Sequence, residues 1–163
     1  AALQRLRAAG LRAQLYLTIA REDWPAGFDR WRRGVERAGL TEGVIVLGKV
    51  DRMVARRLYP RCDMLLFPSL CESFGFPLVE AMGWGLPIVA ADTPLNREMA
   101  GDAAVYYPPL SADDCATAIL RLAASPEVCA GLGENGLRRA AAHPDWFQYA
   151  GEVLELYKRA ASP

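Results

Sequence analysis

Residues 63–92 read DMLLFPSLCESFGFPLVEAMGWGLPIVAAD, and this stretch decides the fold. Two short and mostly apolar runs, 63–67 and 87–90, are predicted strands, and residues 77–84 between them are long enough for a crossover helix. Such runs are typical of strands that are buried on both faces of a parallel sheet. Because strand–helix–strand connections are nearly always right-handed, the stretch predicts parallel strands with a helix packed on them.

The same alternation of β-rich runs and amphipathic stretches extends along the chain in both directions. It predicts an α/β fold with a doubly wound parallel sheet and a C-terminal helical tail that starts at about residue 111. The chain opens in a helical pattern over residues 1–10. The other predicted strands are 14–19, 44–47 and 104–107, and the other predicted helices are 28–38, 52–59, 112–124, 126–142 and 144–161.

The composition fits one compact domain and argues against several kinds of partner. Of the 163 residues, 52% are hydrophobic and 23% are charged, which is enough apolar material for a full core. Basic and acidic residues both number 19, so no net field attracts nucleic acid or an anionic membrane surface. No apolar run reaches the ~20 residues that span a bilayer, and no signal sequence is evident. We therefore expect a cytoplasmic protein without a membrane span or a nucleic-acid partner.

Cysteine and histidine usage argues against a metal site. The four cysteines, Cys62, Cys71, Cys115 and Cys129, include no CxxC pair. The only histidine, His143, precedes a proline at a helix junction, where a capping or surface role is expected rather than that of a catalytic base. No metal ligand is predicted.

The loop that follows the predicted strand 63–67 is the segment best suited to bind a ligand. In an open parallel sheet, ligands collect outside the carboxyl ends of the strands, close to helix N-termini. Gly75 allows the backbone to approach a ligand closely, and Pro77 suits the first turn of the next helix. The amides around Gly75, Phe76 and Leu78 are predicted to be free and to form an electropositive end that suits a phosphate.

Two glutamates accompany this turn, with seven residues between them. Glu72 is placed in the loop and Glu80 in the first turn of the helix, so both can face one cleft. Carboxylates accept paired hydrogen bonds from vicinal hydroxyls, and the pattern therefore suits a diphosphate flanked by sugars. For Glu80 a second interpretation stays open, in which its charge stabilises the helix dipole. A glycosidase is disfavoured, because its two carboxyl groups must flank the scissile bond.

Residues 67–92 resemble the donor-site signature of the retaining glycosyltransferase family numbered four, which has the GT-B fold. The match includes the E-x7-E pair Glu72 and Glu80, the FGFP turn at 74–77, the EAM sequence at 80–82, the Gly-Leu-Pro sequence at 85–87, and Asp92. The sequence REMAGDAAVYYPP at 97–109 and the helical tail extend the resemblance over most of the chain.

The resemblance implies that residues 1–163 are the Rossmann-like half of a GT-B enzyme, which binds a nucleotide-diphosphate sugar. It also implies a separate N-terminal acceptor domain of the same polypeptide, absent from this chain, through which any peripheral membrane contact would run. The fragment alone is then not expected to be active. Family members are thought to retain the anomeric configuration by front-face attack, and neither a metal nor another cofactor is implied.

Residue roles follow from the same resemblance. Glu72, the candidate catalytic residue, would contact the donor-sugar hydroxyls, and Glu80 would bind the nucleotide ribose. The base would lie near Lys49, Val50 and Asp51, although Asp51 suits a helix cap equally well and Lys49 a solvated loop. Independently of the resemblance, Arg21 could contact a phosphate, but a surface ion pair with Glu22 or Asp23 is the expected use of its charge. The predicted substrate-binding residues are Glu72, Ser73, Phe74, Gly75, Phe76, Glu80 and Val50.

Two other functions remain open at this point. The chain could be a non-catalytic module of GT-B type that binds a nucleotide or a partner protein. More remotely, it could belong to a related GT-B enzyme, such as a sugar-nucleotide epimerase, which would convert its nucleotide sugar without any acceptor, or a phosphorylase, which would require inorganic phosphate or a pyridoxal cofactor.

Overall fold

The computed structural model of the chain describes residues 1–143 and 146–161. Strands and helices alternate along most of the chain, and three helices follow the last strand. The strands are β1 (Leu15–Leu17), β2 (Val44–Val46), β3 (Leu65–Phe67), β4 (Ile88–Ala91) and β5 (Ala104–Tyr107). The helices are α1 (Ala2–Ala8), α2 (Pro25–Arg37), α3 (Arg52–Leu58), α4 (Phe76–Gly83), α5 (Pro94–Ala100), α6 (Ala112–Ala123), α7 (Pro126–Ala142) and α8 (Trp146–Ala161).

All strand pairs are parallel, which confirms the predicted fold class. β1 pairs with β2, with Leu15 opposite Val44, and a second sheet has the order β3-β4-β5. The structure differs from the predicted single doubly wound sheet in one respect: within the described ranges, no backbone hydrogen-bond ladder joins the two sheets. The five strands therefore form a pair and a triplet.

β4 lies at the centre of the larger sheet and is covered on both faces. Ile88 and Ala90 face a core cluster that includes residues of α4 and α5. Val89 and Ala91 face a second cluster, which includes residues of α1 and α6. All four side chains are fully buried. The continuous apolar run of this strand thus has its expected cause, since neither face of β4 meets solvent.

The helical tail and one unpredicted helix complete the architecture. α7 has its predicted bounds, and α6 ends one residue early. For the predicted helix 144–161, residues 144 and 145 lie outside the described part, and α8 covers the remainder. α5 was not predicted, although its start carries a usual signal: the Thr93 hydroxyl accepts a hydrogen bond from the Asn96 amide, and Pro94 occupies the first turn.

Within the described residues, no single helix is both long and apolar enough to cross a bilayer. α6 and α7 meet the length and composition criteria only as a pair, which is bent by 99° at the break between them.

Candidate functional site

The candidate site lies at the carboxyl end of the three-stranded sheet. β3 and β4 are parallel neighbours, so the loop 68–75 after β3 and Asp92 after β4 emerge at the same edge. This is the edge at which open parallel sheets bind ligands. The loop ends at Gly75, which is the N-cap of α4.

Gly75 turns the chain from the loop into the helix. Its φ of 81° and ψ of 46° lie in the left-handed region, which glycine adopts without steric cost. The Leu78 amide donates to the Gly75 carbonyl oxygen at 2.9 Å, so the prediction that this amide is free was wrong. In the described part of the chain, the amides of Gly75 and Phe76 have no hydrogen-bond acceptor. The turn therefore leaves two neighbouring amides available to an anion.

Glu72 is solvent-exposed in this loop. Its carboxylate has no hydrogen-bond or ion-pair partner among residues 1–143 and 146–161. Ser73 is exposed beside it, and Phe74 and Phe76 form an exposed aromatic pair with ring centroids 4.9 Å apart. Five of the predicted site residues, 72–76, thus form one continuous segment that is exposed except at the buried Gly75, and its charged group is not used by the fold.

Glu80 is half-buried and is held by a residue that the sequence analysis missed. The Tyr59 hydroxyl donates to Oε2 of Glu80 at 2.8 Å, from a 3₁₀ turn (Tyr59–Arg61) that precedes β3. The prediction that Glu80 lies in the first turn of the helix was wrong, because α4 starts at Phe76 and Glu80 is its fifth residue. The helix dipole acts mainly within the first turn, so the hydrogen bond explains the position of this carboxylate better.

The predicted base-binding residues lie after β2, on the smaller sheet. Asp51 is the N-cap of α3 and accepts a hydrogen bond from the Val54 amide at 2.8 Å, as its capping interpretation requires. The Lys49 ammonium lies 3.7 Å from the Asp23 carboxylate and is exposed. Val50 is half-buried between them and carries no charge. Of the three, Val50 is the residue that the fold leaves without a polar role.

Arg21 pairs with a different residue than expected. Its guanidinium makes two hydrogen bonds to the Asp29 carboxylate, at 2.8 and 2.7 Å, instead of pairing with Glu22 or Asp23. This contact lowers the pKa of Asp29 and raises that of Arg21. The arginine is therefore tied to α2.

A buried asparagine joins the loop to β4. Asn96 is 1% exposed, and its Nδ2 donates to the carbonyl oxygens of Ser69 at 3.1 Å and of Ala91 at 2.8 Å. Its Oδ1 has no hydrogen-bond partner within the described residues. Because Ser69 lies three residues before Glu72, this side chain fixes the start of the loop against the end of the neighbouring strand. Sequence reasoning missed it together with α5.

An Asn96→Asp variant is expected to be less stable, because an ionised carboxylate cannot donate to either carbonyl oxygen. The Ala91 carbonyl oxygen keeps the Thr93 amide as a donor, so the half-buried Ser69 carbonyl oxygen is the one that loses its donor, and this lowers the free energy of unfolding by about 1–3 kcal/mol. Urea unfolding measures this loss. The matched control is Asn135→Asp, since Asn135 donates to the Asp102 carbonyl oxygen in an exposed contact that water can replace. Equal losses in both variants would contradict the conclusion that the buried Asn96 side chain holds the loop against β4.

Asp92 makes a local ion pair at the edge of the site. The Arg97 guanidinium makes two hydrogen bonds to its carboxylate and lies over the Tyr106 ring, 4.5 Å from the centroid. The arginine lowers the pKa of Asp92, which therefore stays ionised. Asp92 is thus bound to Arg97 of α5, and the charge of this arginine neutralises its carboxylate.

His143 lies closer to the loop 68–75 than its sequence context suggested. It is the C-cap of α7, which agrees with a capping role, and its ring centroid is 6.4 Å from that of Phe74. In the part of the chain that the structure describes, no three His, Cys, Asp or Glu side chains gather closely enough to hold a metal ion.

Comparisons with known proteins agree with this geometry. The model of the family described as "Glycosyl transferases group 1" matches residues 1–125. An MMP alpha-(1->4)-mannosyltransferase of Mycolicibacterium hassiacum is 34% identical over 106 residues, which are 63% of this chain and 26% of that protein. The chain spans less than two fifths of the length of this protein and of three others among the curated relatives it matches.

Solved structures share the fold. A sucrose-phosphate synthase from Thermosynechococcus elongatus superposes with a TM-score of 0.82 and 26% identity, over 99% of this chain and 42% of the other. Anabaena HepE in complex with UDP superposes with a TM-score of 0.77 and 22% identity, over 90% and 41% of the two chains. The latter likeness concerns the fold alone.

Proposed function

The chain belongs to the glycosyl transferases group 1 family, and from this premise we propose that it binds the nucleotide-diphosphate sugar donor of a retaining glycosyltransferase. The observation that carries the proposal is the segment 72–76. Among the residues that the structure describes, it presents an unpaired carboxylate at Glu72 and two unpaired amides at Gly75 and Phe76, all at the edge of a parallel sheet where ligands bind.

Each polar group of the segment has a counterpart on such a donor. The Glu72 carboxylate accepts hydrogen bonds from hydroxyls of the donor sugar. The amides of Gly75 and Phe76 donate to the diphosphate, and Glu80 accepts from the ribose hydroxyls. Val50 offers an uncharged surface to the base. A chain with equal numbers of basic and acidic residues can in this way hold a dianionic group by local donors.

The proposed reaction exchanges one bond for another at the anomeric carbon. The bond from this carbon to the diphosphate oxygen breaks, and its electron pair leaves with the diphosphate. The acceptor hydroxyl oxygen forms the new bond on the same face, and its proton passes to the departing diphosphate. The amides of the turn stabilise the negative charge that develops, and the proposed step uses neither a protein nucleophile nor a cofactor.

The acceptor site is proposed to lie in another part of a longer polypeptide. The mannosyltransferase of Mycolicibacterium hassiacum and three other curated relatives are more than twice as long as this chain, which supports a division into a donor half and an acceptor half. Activity assays therefore require the full-length protein, whereas donor binding can be measured on this chain.

Thermal unfolding of the chain with UDP-, GDP- and ADP-sugars tests the proposal. A ligand that binds only the folded state at 100 times its Kd adds about 2.7 kcal/mol of stability, which raises Tm by roughly 5–11 °C. We expect one of the three to produce such a shift and the free sugar to produce none. If the folded chain shows no shift with any nucleotide sugar at millimolar concentration, the proposed function is wrong.

A further inference from the structure

The contact between Tyr59 and Glu80 joins two parts of the chain that are 21 residues apart. The tyrosine packs against the core cluster that includes residues of α4, and its hydroxyl donates to the Glu80 carboxylate. Burial and the neighbouring carboxylate raise the pKa of Tyr59, so this hydroxyl remains protonated and donates throughout the neutral range. The contact therefore has a fixed direction, from phenol to carboxylate.

Tyr106 provides a comparison within the same cluster, because its hydroxyl binds only the backbone. Tyr106 is also half-buried and packs against the same core cluster, but its hydroxyl donates to two backbone carbonyl oxygens, those of Gly101 at 2.9 Å and of Asn96 at 3.3 Å. Tyr59 instead binds a side chain that has several rotamers of its own. An ionised carboxylate has about four acceptor positions, so the phenol occupies one and leaves about three for other donors.

From this geometry we propose that Tyr59 is a positioning residue, which fixes Glu80 so that its remaining acceptor positions read the ribose hydroxyls of the nucleotide donor. The pair then makes the site prefer a ribonucleotide to its 2′-deoxy counterpart. This inference rests on the proposed function. A carboxylate with a fixed orientation discriminates between hydroxyl patterns, whereas a mobile one adapts to either.

Calorimetric titration of the chain with UDP and 2′-deoxy-UDP tests the inference, with the guanosine or adenosine pair used instead if the thermal test selects that base. In Tyr59→Phe, which removes only the hydroxyl, we expect the preference for the ribonucleotide to fall roughly 2- to 12-fold. Affinity for the deoxynucleotide should change little. Glu80→Gln should reduce the same preference, because the amide replaces one carboxylate oxygen by a donor.

Tyr106→Phe is the matched control, since it removes a half-buried hydroxyl that packs against the same core cluster without touching Glu80. It should keep the wild-type preference. If Glu80→Gln lowers the preference and Tyr59→Phe does not, the inference about Tyr59 is wrong while the proposed function stands. If Tyr59→Phe weakens both nucleotides equally, the tyrosine is only structural and the inference also fails. If Glu80→Gln keeps the preference, Glu80 does not bind the ribose hydroxyls, and the inference that Tyr59 positions it for them is wrong as well.

Discussion

A Gly133→Ala variant is expected to have a free energy of unfolding about 3 kcal/mol below that of the wild-type chain, near the upper end for an overpacked core. Gly133 is a buried residue of α7, and a Cβ at its position would lie 2.5 Å from the Gly85 carbonyl oxygen. This oxygen belongs to the backbone of the turn after α4, so it cannot move aside as the end of a side chain can. Helix α7 must therefore withdraw from α4.

The same substitution two residues earlier provides the control. A Cβ at Gly131, also in α7, would meet no atom within 4 Å. Gly131→Ala is therefore expected to gain about 0.5–1 kcal/mol, because alanine is the better helix former. Urea unfolding of both variants measures two effects of opposite sign. Equal stabilities would contradict the close packing of α7 on the turn at Gly85.

This packing matters for the site because α4 carries its second glutamate. The Cβ of a residue at Gly136 would lie 3.3 Å from the Cα of Met82, so α7 contacts α4 two residues after Glu80 as well as at the following turn. At its other end α4 begins at Gly75. The helix that presents Glu80 is thus supported from behind by α7, and a variant that separates the two helices should lose donor affinity along with stability.

The elements predicted from the sequence are those whose residues show a clear apolar run or helical period. β5 has its predicted bounds, and α7 lies between a Ser-Pro and a His-Pro break, as predicted. α5 was missed although Thr93 and Pro94 mark its start, because its seven residues are too few to show a clear helical period. The division into two sheets depends on which strands pair across the fold, and no local pattern specifies that.

In the candidate site, too, local sequence predicted the contiguous residues but not the contacts between distant ones. Residues 72–76 are contiguous, so one strand-to-helix loop could be identified from the sequence alone. The contacts that hold the site are not contiguous: Tyr59 reaches Glu80, and Asn96 reaches Ser69, 27 residues away. A tyrosine before a strand or an asparagine in a short helix has many possible uses, and only the packed structure selects one.

Loss of the Glu72 carboxylate is expected to weaken donor binding more than any other single change in the loop. In the proposed function this group accepts hydrogen bonds from the donor sugar, and hydrogen bonds to a charged group contribute about 1.5–3 kcal/mol. Glu72→Ala should therefore weaken binding of the nucleotide sugar roughly 10- to 150-fold. Because Glu72 is exposed and unpaired in the described residues, the free energy of unfolding should stay nearly unchanged.

Calorimetry with a nucleotide sugar and with the matching nucleoside diphosphate separates this role from a general effect of charge. The sugar contact predicts that Glu72→Ala weakens the nucleotide sugar but not the diphosphate, which lacks the hydroxyls that Glu72 binds. Glu127→Ala removes an exposed glutamate in the first turn of α7 and should change neither affinity. A purely electrostatic role predicts the opposite, since removing a negative charge near the diphosphate would strengthen both ligands. Unchanged affinity for the nucleotide sugar would show that Glu72 is not the sugar-binding residue.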